Sequence, residues 1–149
     1  MKHIKSFTNF LNESINADTE KVNKLIFDNL DPYDGIGGGE CHDIALIAYT
    51  YCQSTGFLEN PKILWTGNHA WVEGEYQGIN CVLDVVAVNQ KHLGAAFKLA
   101  DDKDGPYYNN PKTSTDAKSY VAGNRGVNIS VEDAEYGIEE LSFLDEYIN

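Results

Sequence analysis

HAWVEGEYQGINCVLDVV, residues 69–86, reads as two β-strands joined by a turn near Tyr76 to Gly78. Runs rich in branched and aromatic residues flank that turn, which makes an antiparallel hairpin the economical reading. With the turn centred between Tyr76 and Gln77, equal steps along the two arms bring His69 opposite Asp84. Directly opposed residues share a face, about 5 Å apart at Cβ, so an imidazole and a carboxylate there can share a hydrogen bond. The same register pairs Trp71 with Val82 and Glu73 with Asn80, and on the other face Ala70 with Leu83 and Val72 with Cys81. One face therefore carries a polar pair and the other suits a packed core.

Outward from the hairpin, KILWT at residues 62–66 supplies a further strand, and CHDIALIAYTYCQSTG at residues 41–56 reads as a mostly buried helix that Gly56 ends. DPYDGIGGGE at residues 31–40 precedes it, where Pro32 and the glycines stop any helix. Earlier still, Ile4, Phe7 and Leu11 suggest a short amphipathic helix over residues 2–12. A second helix follows Asp18 as its N-cap, with Val22, Leu25, Ile26 and Leu30 on one face. Residues 91–100 suit a short helix, residues 101–126 a long flexible or lid-like loop, and the acidic tail a helix bearing Leu141, Leu144 and Ile148. The fold class is α+β, one domain over residues 14–149 after an N-terminal segment of residues 1–13.

Cys41 begins the buried helix directly after the glycine-rich loop. A catalytic cysteine acts as thiolate and needs a setting that favours the anion, a base, and a group that orients the base. Unpaired backbone N–H groups at a helix start favour negative charge and can stabilise an oxyanion. Gly35 to Gly39 lets a substrate backbone come close. His69 and Asp84 are the base and its orienting carboxylate; an ionised Asp84 in the apolar run VLDVV demands a partner. Glu40 and Asp43 flank the thiol and oppose its ionisation unless they point to solvent. Cys52 and Cys81 read as core thiols, and His42 as an exposed first-turn residue.

The order GECHDIA, NHAWVEGEY, VLDVVA resembles the transglutaminase-like superfamily over about residues 35–90, with HAWVE at residues 69–73 the most specific piece. The resemblance implies a papain-related fold with a catalytic cysteine at a helix N-terminus packed on a small antiparallel sheet. It implies Cys41 as nucleophile, His69 as general base and acid, and Asp84 as orienting residue. Gly39, Glu40 and Trp71 are the candidates for substrate contact, Trp71 also packing against the site. The implied activity is amide hydrolysis or acyl transfer on a protein or peptide bearing a carboxamide, without a cofactor. A silent binding protein on the same fold is the alternative. The sequence departs from the family where Val85 and Val86 follow Asp84, and it offers no upstream side chain as second oxyanion donor.

Composition narrows the partners. Eleven Lys and Arg against 23 Asp and Glu give a net charge of −12 in 149 residues, a sign that repels nucleic acid and anionic lipid. No apolar run reaches bilayer length. Three cysteines without a C-x-x-C unit suggest neither a disulfide framework nor zinc, and a metal set from Cys41, His42, His69 and Cys81 matches no ligand spacing. A cytoplasmic setting follows. GIGGG lacks the Lys-Ser/Thr of a phosphate loop. Finally, MKHIKSFTNFLNES resembles the head-targeting leaders of internal proteins of large tailed bacteriophages, with Leu11, Asn12 and Glu13 at the cleavage site. That resemblance implies packaging in a phage head and delivery into a host.

Overall fold

The helix that Cys41 begins stops where the chain first needs a left-handed residue. This helix is α2, Cys41–Thr55, and Gly56 at φ 79° closes it by donating its N–H to the Cys52 carbonyl at 2.8 Å. The computed structural model describes residues 7–30, 41–85 and 94–148, with side chains from Ser14 onward in the first segment. Residues Asp43 to Tyr49, with Tyr51 and Cys52, are buried, so α2 is covered on nearly every side and forms the centre of the core.

α3 (Ala117–Gly123) and α4 (Val131–Gly137) pack against α2, while α1 (Phe7–Leu30) packs on the edge of the sheet and the C-terminal segment. The two helices expected near the N-terminus are one: α1 runs unbroken for 24 residues through Leu11, Asn12 and Glu13. Ile15, Val22, Ile26 and Leu30 form its buried stripe. Asp18 is an interior residue and caps nothing; its carboxylate instead accepts from the Tyr76 hydroxyl at 2.8 Å, tying α1 to the hairpin. Ser130 and Asp133 form a capping box that starts α4. After Gly137 the tail tightens into a 3-10 run, Ile138–Tyr147. Leu141 and Leu144, three residues apart, then both point into the core, a spacing that suits three residues per turn.

The sheet contains β1 (Glu59–Trp65), β2 (Ala70–Tyr76), β3 (Ile79–Leu83), β4 (Phe97–Leu99) and β5 (Lys112–Ser114), in the order β4-β3-β2-β1-β5 with every neighbouring pair antiparallel. The α-helix expected across residues 91–100 does not form over 94–100: β4 takes Phe97–Leu99, and residues 91–93 lie outside the described residues. The segment 101–126 is likewise no open loop. It holds the end of a 3-10 turn at Ala100–Asp102, another at Pro106–Tyr108, the edge strand β5, and α3.

The hairpin register differs from expectation by one turn position. Gln77 and Gly78 both take positive φ, 52° and 83°, which makes them the two-residue loop and pairs Tyr76 with Ile79, Gly74 with Cys81 and Val72 with Leu83. Glu73 thus faces Val82, and Glu75 faces Asn80. Moving the centre by one residue moves each partner by two, so every side chain keeps its predicted face. Both faces are buried, however. Tyr51, Phe57, Tyr76 and Phe97 cluster on one, ring centroids 5.3 to 6.0 Å apart. His69, Trp71, Glu73, Val82 and Asp84 are buried on the other.

Gly74 marks a tight crossing of β2 and β1. A Cβ there would lie 2.8 Å from Leu58 Cβ and 3.0 Å from the Glu59 carbonyl oxygen, beside the irregularity between Glu59 and Lys62. Gly74→Ala should cost about 1–3 kcal/mol through overpacking. Gly67, with open space around its Cα, should accept Ala within about 0.5 kcal/mol. Urea midpoints of the two variants, compared with wild type, check the difference. No described helix is long and apolar enough to cross a membrane.

Candidate active site

Three element ends deliver three side chains to one point. Cys41 is the first residue of α2, and its side chain is half-buried. His69 immediately precedes β2, where its carbonyl accepts from the Thr66 N–H at 2.8 Å and fixes the turn from β1. Asp84 immediately follows β3, held by its N–H to the Ala96 carbonyl at 2.6 Å. His69 Nε2 lies 2.7 Å from Asp84 Oδ2, and the Cys41 thiol is near enough to the ring to act on its pKa. With Nε2 engaged by Asp84, Nδ1 is the nitrogen left for the thiol. Extending the β2–β3 ladder puts Asp84 across from Trp71, so His69 reaches Asp84 on the diagonal.

Aromatic rings hold the imidazole in plane. Trp71 stacks on His69 with centroids 5.6 Å apart, and Tyr108 stands edge-on to both, at 5.7 Å from His69 and 4.9 Å from Trp71. Trp71 donates its indole N–H to Glu73 Oε2 at 2.7 Å, and Lys103 Nζ pairs with the same oxygen at 2.6 Å. Only 1 % of Trp71 is exposed, which leaves it no face for substrate. Its expected role in substrate contact gives way to a supporting one, because Glu73 and His69 occupy its edge and its face.

Burial works against charge on His69, but its interactions with Asp84 and Cys41, and the charges there, outweigh that and raise its pKa from 6.5 to about 9. Asp84 Oδ2 also accepts from the Tyr108 hydroxyl at 2.6 Å, and Tyr108 in turn accepts from Lys98 Nζ at 2.9 Å. Burial, then the charge of Asp84, push the Tyr108 hydroxyl well above its ordinary value, so it remains a donor. Lys98 is pulled the other way: burial lowers its pKa, with Asp84 and Asp102 opposing.

The residues beside the nucleophile are also engaged. His42 is no exposed first-turn side chain: it is half-buried, shares a hydrogen bond through Nδ1 with the Tyr120 hydroxyl, and packs so closely under Gly126 that a Cβ there would stand 2.5 Å from its Cδ2. Asp43 is buried instead of facing solvent, and accepts from the Asn128 N–H at 2.7 Å. Burial raises the Tyr120 hydroxyl, and charge at Cys41 and Asp43 adds to it. Trp65 packs edge-on to Tyr120 at 5.0 Å and borders a cleft of about 350 Å³ with Thr66, Gly67, Asn109, Asn110 and Lys112. Gly39 and Glu40, with the rest of residues 31–40, lie outside the described residues.

Sequence reasoning missed Lys98 and Tyr120, and left Tyr108 within the long loop expected over residues 101–126. The signal for Tyr108 was present: an ionised carboxylate in an apolar strand asks for more donors than one imidazole supplies. Cys52 and Cys81 are buried core thiols, each pushed up to about 12, burial being the main cause. Among the described residues no three His, Cys, Asp or Glu side chains are grouped as a metal ion would require. The fold and site define an α+β protein with a five-stranded antiparallel sheet and a Cys41–His69–Asp84 line at the start of a buried helix. Comparison with protein-family models, curated proteins and solved structures finds no match for this chain.

Proposed function

We propose that this chain is a cysteine-dependent amide hydrolase or acyl transferase of the transglutaminase-like, papain-related kind. The observation that carries the reading is one buried imidazole hydrogen-bonded to a buried carboxylate, with a thiol at a helix start close enough to help raise its pKa. A carboxylate on one side of the ring and a thiol near it support a nucleophile, base and orienting group as the reading of this site. The substrate class is a protein or peptide that presents a carboxamide.

In the proposed reaction Cys41 Sγ bonds to the carbonyl carbon, and the proton of the thiol passes to His69. Backbone N–H groups in the first turn of α2 face the developing oxyanion. A ring that holds its proton near neutral pH is a suitable acid for the leaving amine, so the C–N bond breaks as His69 protonates nitrogen. The thioester then passes its acyl group to water or to a second amine, with His69 as base, regenerating the thiol. Asp84 keeps the ring oriented throughout and takes no proton.

Iodoacetamide alkylation, followed at each cysteine by peptide mass spectrometry from pH 5 to 9, tests the pairing. Cys41 should be modified at pH 6.5 while Cys52 and Cys81, buried and pushed up to about 12, stay intact. His69→Ala should slow the Cys41 reaction at that pH by about 100-fold, the lower end of what a positioned base contributes. Identical Cys41 rates in wild type and His69→Ala would sink the enzyme reading and leave the fold as a binding scaffold.

A further inference from the structure

We infer that Tyr108 and Lys98 are positioning residues that continue the catalytic line beyond Asp84 and restrain the basicity of His69. The inference rests on the reading of Cys41, His69 and Asp84 as one site, and adds two residues that reading does not need.

The geometry is a chain of buried polar atoms. His69 Nε2 and the Tyr108 hydroxyl both donate to one oxygen, Asp84 Oδ2, at 2.7 and 2.6 Å, and Lys98 Nζ donates to Tyr108 at 2.9 Å while lying 4.7 Å from the centre of its ring. His69, Asp84, Tyr108 and Lys98 are all buried. An orienting carboxylate alone can rotate about its last bond and present either oxygen to the imidazole. A phenol fixed on the same oxygen removes that freedom, and the 3-10 turn Pro106–Tyr108 sets the phenol. A second donor also draws charge from the oxygen that His69 uses, and the ammonium behind it adds a positive field. Both effects weaken the hold of Asp84 on an imidazolium. A histidine bound too tightly as a cation is a poor base for the second half-reaction, so the restraint has a use.

Several charged groups face this point. Cys41 comes from α2, Glu73 with Lys103 lies behind Trp71, Tyr108 and Lys98 lie behind Asp84, and Asp102 sits beside Lys98. Tyr108→Phe keeps the ring against Trp71 and His69 and deletes one hydroxyl; Lys98→Met keeps the aliphatic stem and deletes the charge.

The test is the side-chain NMR titration of His69 in the full chain, its resonance assigned by loss in His69→Gln, in wild type and in both variants. The midpoint of His69 should rise by about half to one pH unit in Tyr108→Phe and in Lys98→Met, and return toward wild type in Lys98→Arg, which restores the cation. A merely structural role would lower thermal stability without moving the midpoint. An unmoved or lowered midpoint in folded Tyr108→Phe overturns the inference, and that variant decides alone if Lys98→Met fails to fold. Because the readout is the histidine itself, this failure is distinct from an unreactive Cys41, which would count against the enzyme reading instead.

Discussion

Asp84→Ala should cost about 3–5 kcal/mol of folding stability, the range seen when one partner of a buried charge pair is removed and the other stays. Asp84 is 1 % exposed, and its Oδ2 accepts from both His69 and Tyr108, the latter backed by Lys98. The substitution removes the oxygen to which both a buried imidazole and a buried phenol donate. Against a typical stability of about 5–15 kcal/mol, such a loss brings the variant near the unfolding threshold at 37 °C. Urea unfolding at pH 6 gives the value. Adding His69→Ala to Asp84→Ala should cost much less than the sum of the two single changes, because the second removes a group the first has already orphaned. Strict additivity would mean that the 2.7 Å contact contributes nothing to the folded state.

The second large effect is a pH dependence with a definite sign. The folded protein holds the His69 proton up to about 9 where the unfolded chain releases it near 6.5. A pKa raised on folding gives stability that is fully present below the unfolded value and lost as pH climbs through the folded one. Between pH 6.5 and 8.5 the free energy of unfolding should therefore fall by about 2 kcal/mol from this group. His69→Gln should flatten that segment. Other described groups raised in the same sense act at higher pH: the Cys52 and Cys81 thiols, raised from 9.0 to about 12, and the buried hydroxyls of Tyr51, Tyr76, Tyr108 and Tyr120, raised from 10.0. Parallel stability curves for wild type and His69→Gln across the window would place the proton elsewhere.

The strands that build the hairpin, the helix at Cys41 and the common face of His69 and Asp84 were legible in the sequence because each rests on a local rule. Period-two alternation survives an error of one residue in the turn, so the face held although the register did not. Where local rules misled, distant contacts decided. Asp18 has the chemistry of a cap, but Tyr76 and Gln77 draw its carboxylate sideways and the helix continues past it. Residues 91–100 suit a short helix by local pattern, yet Phe97 pairs in the ladder with Leu83, and Ala96 and Lys98 beside it are buried. Tyr108 and Tyr120 lie 24 and 36 positions beyond Asp84, and nothing in their own neighbourhoods marks which phenol turns inward. Their place depends on β5 returning to β1, a pairing of residues about 50 apart that no periodicity reveals.

The outer strands of the sheet are its shortest. β4 and β5 contribute three residues each, while the longer β1, β2 and β3 are enclosed between them. β5 reads Lys-Thr-Ser, one charge and two hydroxyls, and its Lys112 and Thr113 are exposed. An unpaired edge is a template on which another chain can add a strand, and a brief, charged edge is a poor one. Together with a net charge of −12, which keeps copies apart, this border predicts resistance to edge-to-edge polymerisation even at high protein concentration.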